Sequence, residues 1–149
     1  MMKRCALSLM AVAVGLVFAH LVHAQQKPDV LVKQRQAAMT LIGKYWGPLN
    51  VMAQGKAPYN ADIAARNAAF LDALSQMPWD GFDPITKDEK SRALPAIYEN
   101  PAKFKEAQDR MRSAVVKLVA AARDEGAFKA AAGELGKACG ACHDSFRAK

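Results

Sequence analysis

Beyond Gln25 the apolar side chains recur every three or four residues, and no stretch alternates strictly at two, so the pattern predicts helices throughout. The first opens near Pro28-Asp29 and carries Leu31, Ala38, Ile42, Tyr45, Leu49 and Met52 along one stripe to about Gly55. Pro48 inside it predicts a bend or a local break, because proline lacks the N–H that a helix interior uses. Asn60 is a suitable N-cap for a second helix, with Asp62 in its first turn and Ile63, Phe70, Leu71, Leu74 and Met77 as its buried face until Pro78. Asn100-Pro101 supplies the cap and first residue of a third, which continues through Phe104, Ala107, Met111, Val115, Leu118 and Ala122 to Gly126. A fourth runs from about Ala127 to the end, with Phe128, Ala131, Leu135, Cys139, Cys142 and Phe146 on one side. Four amphipathic helices, with two of the three joins short, describe an all-α, up-down-up-down four-helix bundle.

From Trp79 to about Leu94 no period is sustained, and turn residues (Asp80-Gly81, Asp83-Pro84) and charge dominate. A connection this long inside a compact domain tends to wrap something, and Trp79 and Phe82 are large apolar groups with a reason to be covered. At the amino end Lys3-Arg4 precedes an apolar run from Cys5 to Val22 and then Val22-His23-Ala24, the pattern of a secretory signal cleaved after Ala24. The run approaches the ~20 residues of a spanning helix, but Ser8 and His20 break it and a cleavage triplet ends it. The expected organisation is therefore a signal over 1–24 and one domain over 25–149, exported to the periplasm with no membrane anchor after cleavage. The formal net charge of +7 falls to +5 without Lys3 and Arg4. The remaining basic residues are interspersed with acidic ones, which points to acidic protein partners and away from nucleic acid.

Loss of the signal leaves Cys139, Cys142 and His143 as the sole Cys and His of the mature chain. One closely spaced pair cannot staple a chain of this length, and a structural zinc site needs four ligands where three are present. A thioredoxin-like pair expects a βαβ setting that is missing here, and a plain disulfide is what the pair would form if nothing else occupied it. Cys-x-x-Cys-His is the attachment pattern for haem c. On a helix Cys142 and His143 lie three and four residues beyond Cys139, so all three project toward one face. Two thiols then meet the two vinyl groups along one porphyrin edge while the imidazole reaches the iron, and Gly140 and Ala141 leave room for the ring. No second histidine remains, so the other axial position falls to a methionine or to nothing; Met39, Met52, Met77 and Met111 all sit on helical stripes.

Several stretches beyond the motif carry a resemblance: Arg35-Gln36 followed by Met39, Gly55-Lys56-Ala57-Pro58-Tyr59, Pro78-Trp79 with Phe82, Pro95-Ala96-Ile97-Tyr98, and Gly136-Lys137-Ala138-Cys139 through Arg147. Over nearly the whole mature chain it resembles cytochrome c′, the c-type cytochromes with the attachment motif near the carboxyl end of a four-helix bundle. The resemblance implies one covalent haem c, Arg35 near a haem propionate with Gln36 beside it, Trp79 and Phe82 as shielding aromatics, and Arg147 as the basic residue one turn past the ligand His143. It places Met39 on the distal side, where most of the family has an apolar group that leaves the iron five-coordinate and open to nitric oxide and carbon monoxide. In related low-spin members a methionine there is the sixth ligand, giving a one-electron carrier with His143 and Met39 ligated. It also implies, in many members, a homodimer packed through the first two helices; a single iron turns over one electron, so no multi-electron enzyme is expected, and the mildly basic surface would steer acidic redox partner proteins.

Overall fold

The computed structural model describes residues 26–149; the expected signal, its cleavage site after Ala24, and Cys5, His20 and His23 lie outside the described residues. Helix α1 spans Pro28–Ala53. Pro28 sits where its missing N–H costs nothing, and Asp29 in the first turn is bonded by Lys33 at 3.0 Å. Pro48 produces no break: the helix is continuous through it. Lying near the last turn, it forfeits only the bond its N–H would have made to the Lys44 carbonyl. The helix stops at Gly55, whose φ of 69° is the left-handed conformation glycine adopts without strain. Gly55 N–H donates to the Met52 carbonyl and Lys56 N–H to that of Val51, both at 3.0 Å, which closes the helix end in a Schellman pattern.

Helix α2 spans Ala61–Leu74, and the Asn60 side chain accepts from the Asp62 and Ile63 amides at 3.1 and 2.9 Å. Its buried face differs from the expected one. Ile63, Phe70 and Met77 are 37%, 43% and 59% exposed, and the inward residues are Ala64, Asn67, Ala68, Leu71 and Leu74. Small side chains at Ala64 and Ala68 let neighbouring helices approach closely. Buried Asn67 is satisfied by donating to the Tyr45 carbonyl at 3.4 Å, so the true stripe contains a polar residue that hydropathy alone assigns outward. Phe70 instead tilts onto Tyr45, ring centroids 4.7 Å apart.

The long connection is more ordered than its sequence implies. It holds two 3₁₀ turns, Trp79–Phe82 and Pro84–Thr86, and a single helical turn, Ala96–Glu99. Helix α3 spans Pro101–Ala121. Pro101 begins it as expected, but Asn100 caps it only through its backbone carbonyl, which accepts from the Phe104 amide at 3.1 Å; its side chain makes no capping bond. Helix α4 spans Glu125–Phe146 and starts two residues early, because the Asp124 side chain accepts from the Ala127 amide at 2.7 Å.

Each long helix packs against two others, α1 on α2, α2 on α3, α3 on α4 and α4 on α1, the ring of an up-down-up-down bundle. Leu49, Leu71, Val115, Leu118, Phe128 and Leu135 are almost completely buried at its centre. A smaller core of Ile97, Phe104, Ala107 and Phe146 closes the end that carries the cysteines, with Trp79 and Phe82 against it. There the chain after α4 pairs with the connection: Leu94 N–H donates to the Phe146 carbonyl at 3.0 Å and Ala148 N–H to that of Arg92 at 2.8 Å.

Candidate functional site

Cys139, Cys142 and His143 lie in the last two turns of α4 and open onto one cavity of about 730 Å³, within the ~300–1,000 Å³ usual for cofactor sites. The same cavity is lined by Arg35, Gln36 and Met39 of α1, by Trp79 and Phe82 of the connection, and by Arg147. All nine residues singled out in the sequence therefore meet at one place. Arg35 is buried; Cys139, Cys142, Met39, Trp79 and Phe82 are half-buried; Gln36, His143 and Arg147 lie at the exposed mouth.

The wall against which Cys142 packs is aromatic. Phe82 and Phe104 meet edge to face at 4.9 Å, Phe104 and Phe146 at 5.2 Å, and Trp79 stacks on Phe82 at 6.2 Å. Trp79 is fixed by its indole N–H, which donates to the Ser75 carbonyl at 2.7 Å. Arg35 reaches out of α1 under the connection, where its guanidinium lies 4.6 Å from the Phe82 ring centre and donates to the Gly81 carbonyl and the Ser91 hydroxyl, the latter at 2.7 Å.

Among the described residues no aspartate or glutamate lines the cavity, whereas three arginines do: Arg35, Arg92 and Arg147. None of the three forms an ion pair with a carboxylate among the described residues. The site is thus an apolar slot with a positive rim, suited to a flat apolar ligand bearing anionic groups. Burial, chiefly, and the neighbouring Cys142 push the Cys139 thiol up to about 11, and burial raises Cys142 as well. Before haem is attached, burial thus holds both side chains toward the protonated thiol form.

Some lining residues were not read from the sequence as belonging to a site. Phe104 and Phe146 were legible only as core positions on their stripes; of the four methionines considered for the second axial position, Met39 and Met111 line the cavity and Met52 and Met77 do not. Trp46 and Arg92 gave no signal: Arg92 reaches the mouth because the Ala93–Arg147 bridge folds the connection against the end of α4.

An all-helical bundle whose Cys-x-x-Cys-His turn opens on an apolar slot with an arginine rim defines a c-type haem protein, and two thiols, an imidazole and unpaired guanidinium groups are the donor set that haem c requires. The family model described as cytochrome C' matches residues 30–147. Cytochrome c' of Rubrivivax gelatinosus is 45% identical over 127 residues, covering 83% of this chain and 98% of that protein. Its crystal structure superposes with a TM-score of 0.79 over the same shares of the two chains. Cytochrome c prime of Alcaligenes xylosoxidans, in the nitric oxide complex of a single-residue variant, is 40% identical with a TM-score of 0.77, covering 83% of this chain and 98% of that one. Cytochrome c-554 of Cereibacter sphaeroides is 36% identical over 124 residues, 80% of this chain and 81% of that protein. The chain belongs to the cytochrome c′ family, and its cofactor is covalently bound haem c.

Proposed function

We propose that this protein is a periplasmic, single-haem cytochrome that binds nitric oxide and carbon monoxide at an open distal position and exchanges electrons with redox partner proteins. The observation that carries the proposal is the convergence of Cys139, Cys142, His143 and unpaired arginines on one apolar cavity without an acidic lining residue. In this reading Cys139 and Cys142 form the thioether links, and His143, one position further along the same helical turn, is the axial iron ligand. Arg35 and Arg147 face the propionates, Gln36 lies beside Arg35, and Trp79 and Phe82 keep water from the ring. When bound, haem c supplies a one-electron iron couple with one coordination position to spare. A single such centre suits gas storage, sensing or scavenging better than multi-electron catalysis, so no enzymatic turnover is assigned. The nitric oxide complexes of the Alcaligenes xylosoxidans relative support the gas-binding part.

Met39 is half-buried on the cavity wall, one turn beyond Arg35 on α1, and acts as an apolar obstacle over the distal side. The same placement favours one second reading, in which the Met39 sulfur ligates the iron and the protein is a six-coordinate electron carrier. Export rests on the signal expected over 1–24, and no described helix is long and apolar enough to cross a membrane. Homodimerisation through the first two helices is supported by Leu41 and Val51 on α1 and Ile63 and Phe70 on α2, all exposed. Visible spectra of the purified ferric and ferrous protein test ligation directly. The expected result is high-spin iron and a ferrous form that takes up nitric oxide. Low-spin spectra that become high-spin on Met39→Ala would establish the second reading, and a colourless exported protein would refute both.

A further inference from the structure

We infer that Trp46 is a gate between the haem cavity and a second groove on the α1–α4 seam, and that nitric oxide and carbon monoxide reach the iron past its ring. The inference rests on the reading above that the iron keeps an open position for gas, and it adds the route and the residue that controls it.

The second groove has a volume of about 490 Å³ and is lined by Trp46, Asn50 and Gln54 of α1 and by Gly133, Gly136 and two exposed lysines of α4. Among the described residues Trp46 alone borders both this groove and the haem cavity, so its half-buried indole stands between the two. Met39, Gly43 and Trp46 all line the haem cavity. Spaced four and three residues apart, they follow one stripe of α1 from the side assigned to the gas toward the groove.

The two tryptophans of the haem cavity are held differently. Trp79 is pinned by its indole N–H, which donates to the Ser75 carbonyl at 2.7 Å. Among the described residues no hydrogen bond holds the Trp46 indole, and no buried polar atom is left unpaired by that. Its ring edge lies against Gly136, where an added Cβ would stand 3.5 Å from the Trp46 Cζ2 atom. On its own helix Gly43 and Gly47 flank it, and a Cβ at either would meet nothing within 4 Å. A ring held by apolar packing alone, with side chains missing around it, has both the freedom and the room to change rotamer.

The mouth of the haem cavity carries Arg92 and Arg147. In the reading above the anionic edge of the cofactor sits there, which closes that entrance with charged groups. Nitric oxide and carbon monoxide are small and uncharged, and molecules of that kind enter dry apolar space.

The test is the rate at which the ferrous, haem-loaded protein rebinds carbon monoxide after flash photolysis, over a series of concentrations. Carrying the ring through off-rotamer angles slows passage about three- to tenfold. Trp46→Ala should therefore raise the association rate constant by that factor, and Trp46→Phe by less. Gly133 lines the outer groove and not the haem cavity, so Gly133→Leu fills the approach without touching the haem and should lower the rate constant about threefold. The visible spectra of the variants should match wild type, because neither residue supplies an iron ligand. Where Trp46→Ala fails to load haem, Trp46→Phe and Gly133→Leu decide. A wild-type rate in Gly133→Leu, or in both Trp46 variants, overturns the gate while gas binding stands. A ferrous protein that takes up no carbon monoxide, or takes it up at a rate independent of concentration because Met39 must first leave the iron, removes the open-site reading and this inference with it.

Discussion

Replacing Gly81 by alanine adds a methyl group where two neighbours already stand: the new Cβ would lie 2.5 Å from the Arg35 Cβ and 2.8 Å from the Leu31 carbonyl oxygen. Neither is the far end of a flexible chain. One is the root of a buried side chain and the other is backbone inside α1, so the 3₁₀ turn must lift away and take its carbonyl off Arg35. Overpacking of this kind costs about 1–3 kcal/mol, and a hydrogen bond to a charged donor contributes about 1.5–3 kcal/mol. Because both losses come from one displacement they overlap, and the expected destabilisation is about 2–4 kcal/mol. With a urea slope of about 2 kcal/mol per molar, the unfolding midpoint of the haem-loaded protein should fall by about 1–2 M. Gly133→Ala is the matched control. Nothing lies within 4 Å of its added Cβ, and an alanine in place of a mid-helix glycine should stabilise by about 0.5–1 kcal/mol. The same chemical change is thus expected to move the midpoint in opposite directions at the two positions. A Gly81→Ala protein within about 0.5 kcal/mol of wild type, the ordinary range for surface substitutions, would refute the close approach of the connection to α1.

Two further outcomes are accessible to the same unfolding assay. Phe128 is completely buried and packs 5.4 Å from Tyr59, so Phe128→Ala should cost about 3–5 kcal/mol, and a cost below about 1 kcal/mol would show a core looser than described. Tyr59 donates to the Ala122 carbonyl at 2.8 Å, and burial, then the charges of Asp124 and Glu125, raise its pKa above the ordinary 10.0. The folded state therefore holds the phenolic proton more tightly than the unfolded chain. The stability this contributes is complete below the unfolded pKa and is lost as pH rises through the folded one. Unfolding midpoints across the alkaline range should fall more steeply for wild type than for Tyr59→Phe, and parallel curves would contradict the assignment.

The bundle was legible because its signals are local. Periodicity, Asn60 at one helix start, Pro101 at another and Gly55 at a helix end each act within a turn or two of chain. The face of α2 was misread because large apolar residues at Ile63 and Phe70 outweigh alanines in any hydropathy pattern, while packing distance is set by the smaller side chain. The Asp124 cap was available in the sequence, since a carboxylate three residues before an amide it can accept is a standard helix start; the glycine after Glu125 obscured it. In the site, the residues that touch the haem motif in sequence or share a turn with Arg35 were found. Ser91 and Arg92 were not, because they reach the cavity only when the connection has closed over α1 and paired with the chain after α4.

Among the four long helices α2 alone sends no residue to the cavity. Its inward stripe is consumed by packing against α1 and α3, and its outward one carries Ile63 and Phe70 at the surface. Substitutions along its outward face can therefore reach the cavity only through the helices beside it.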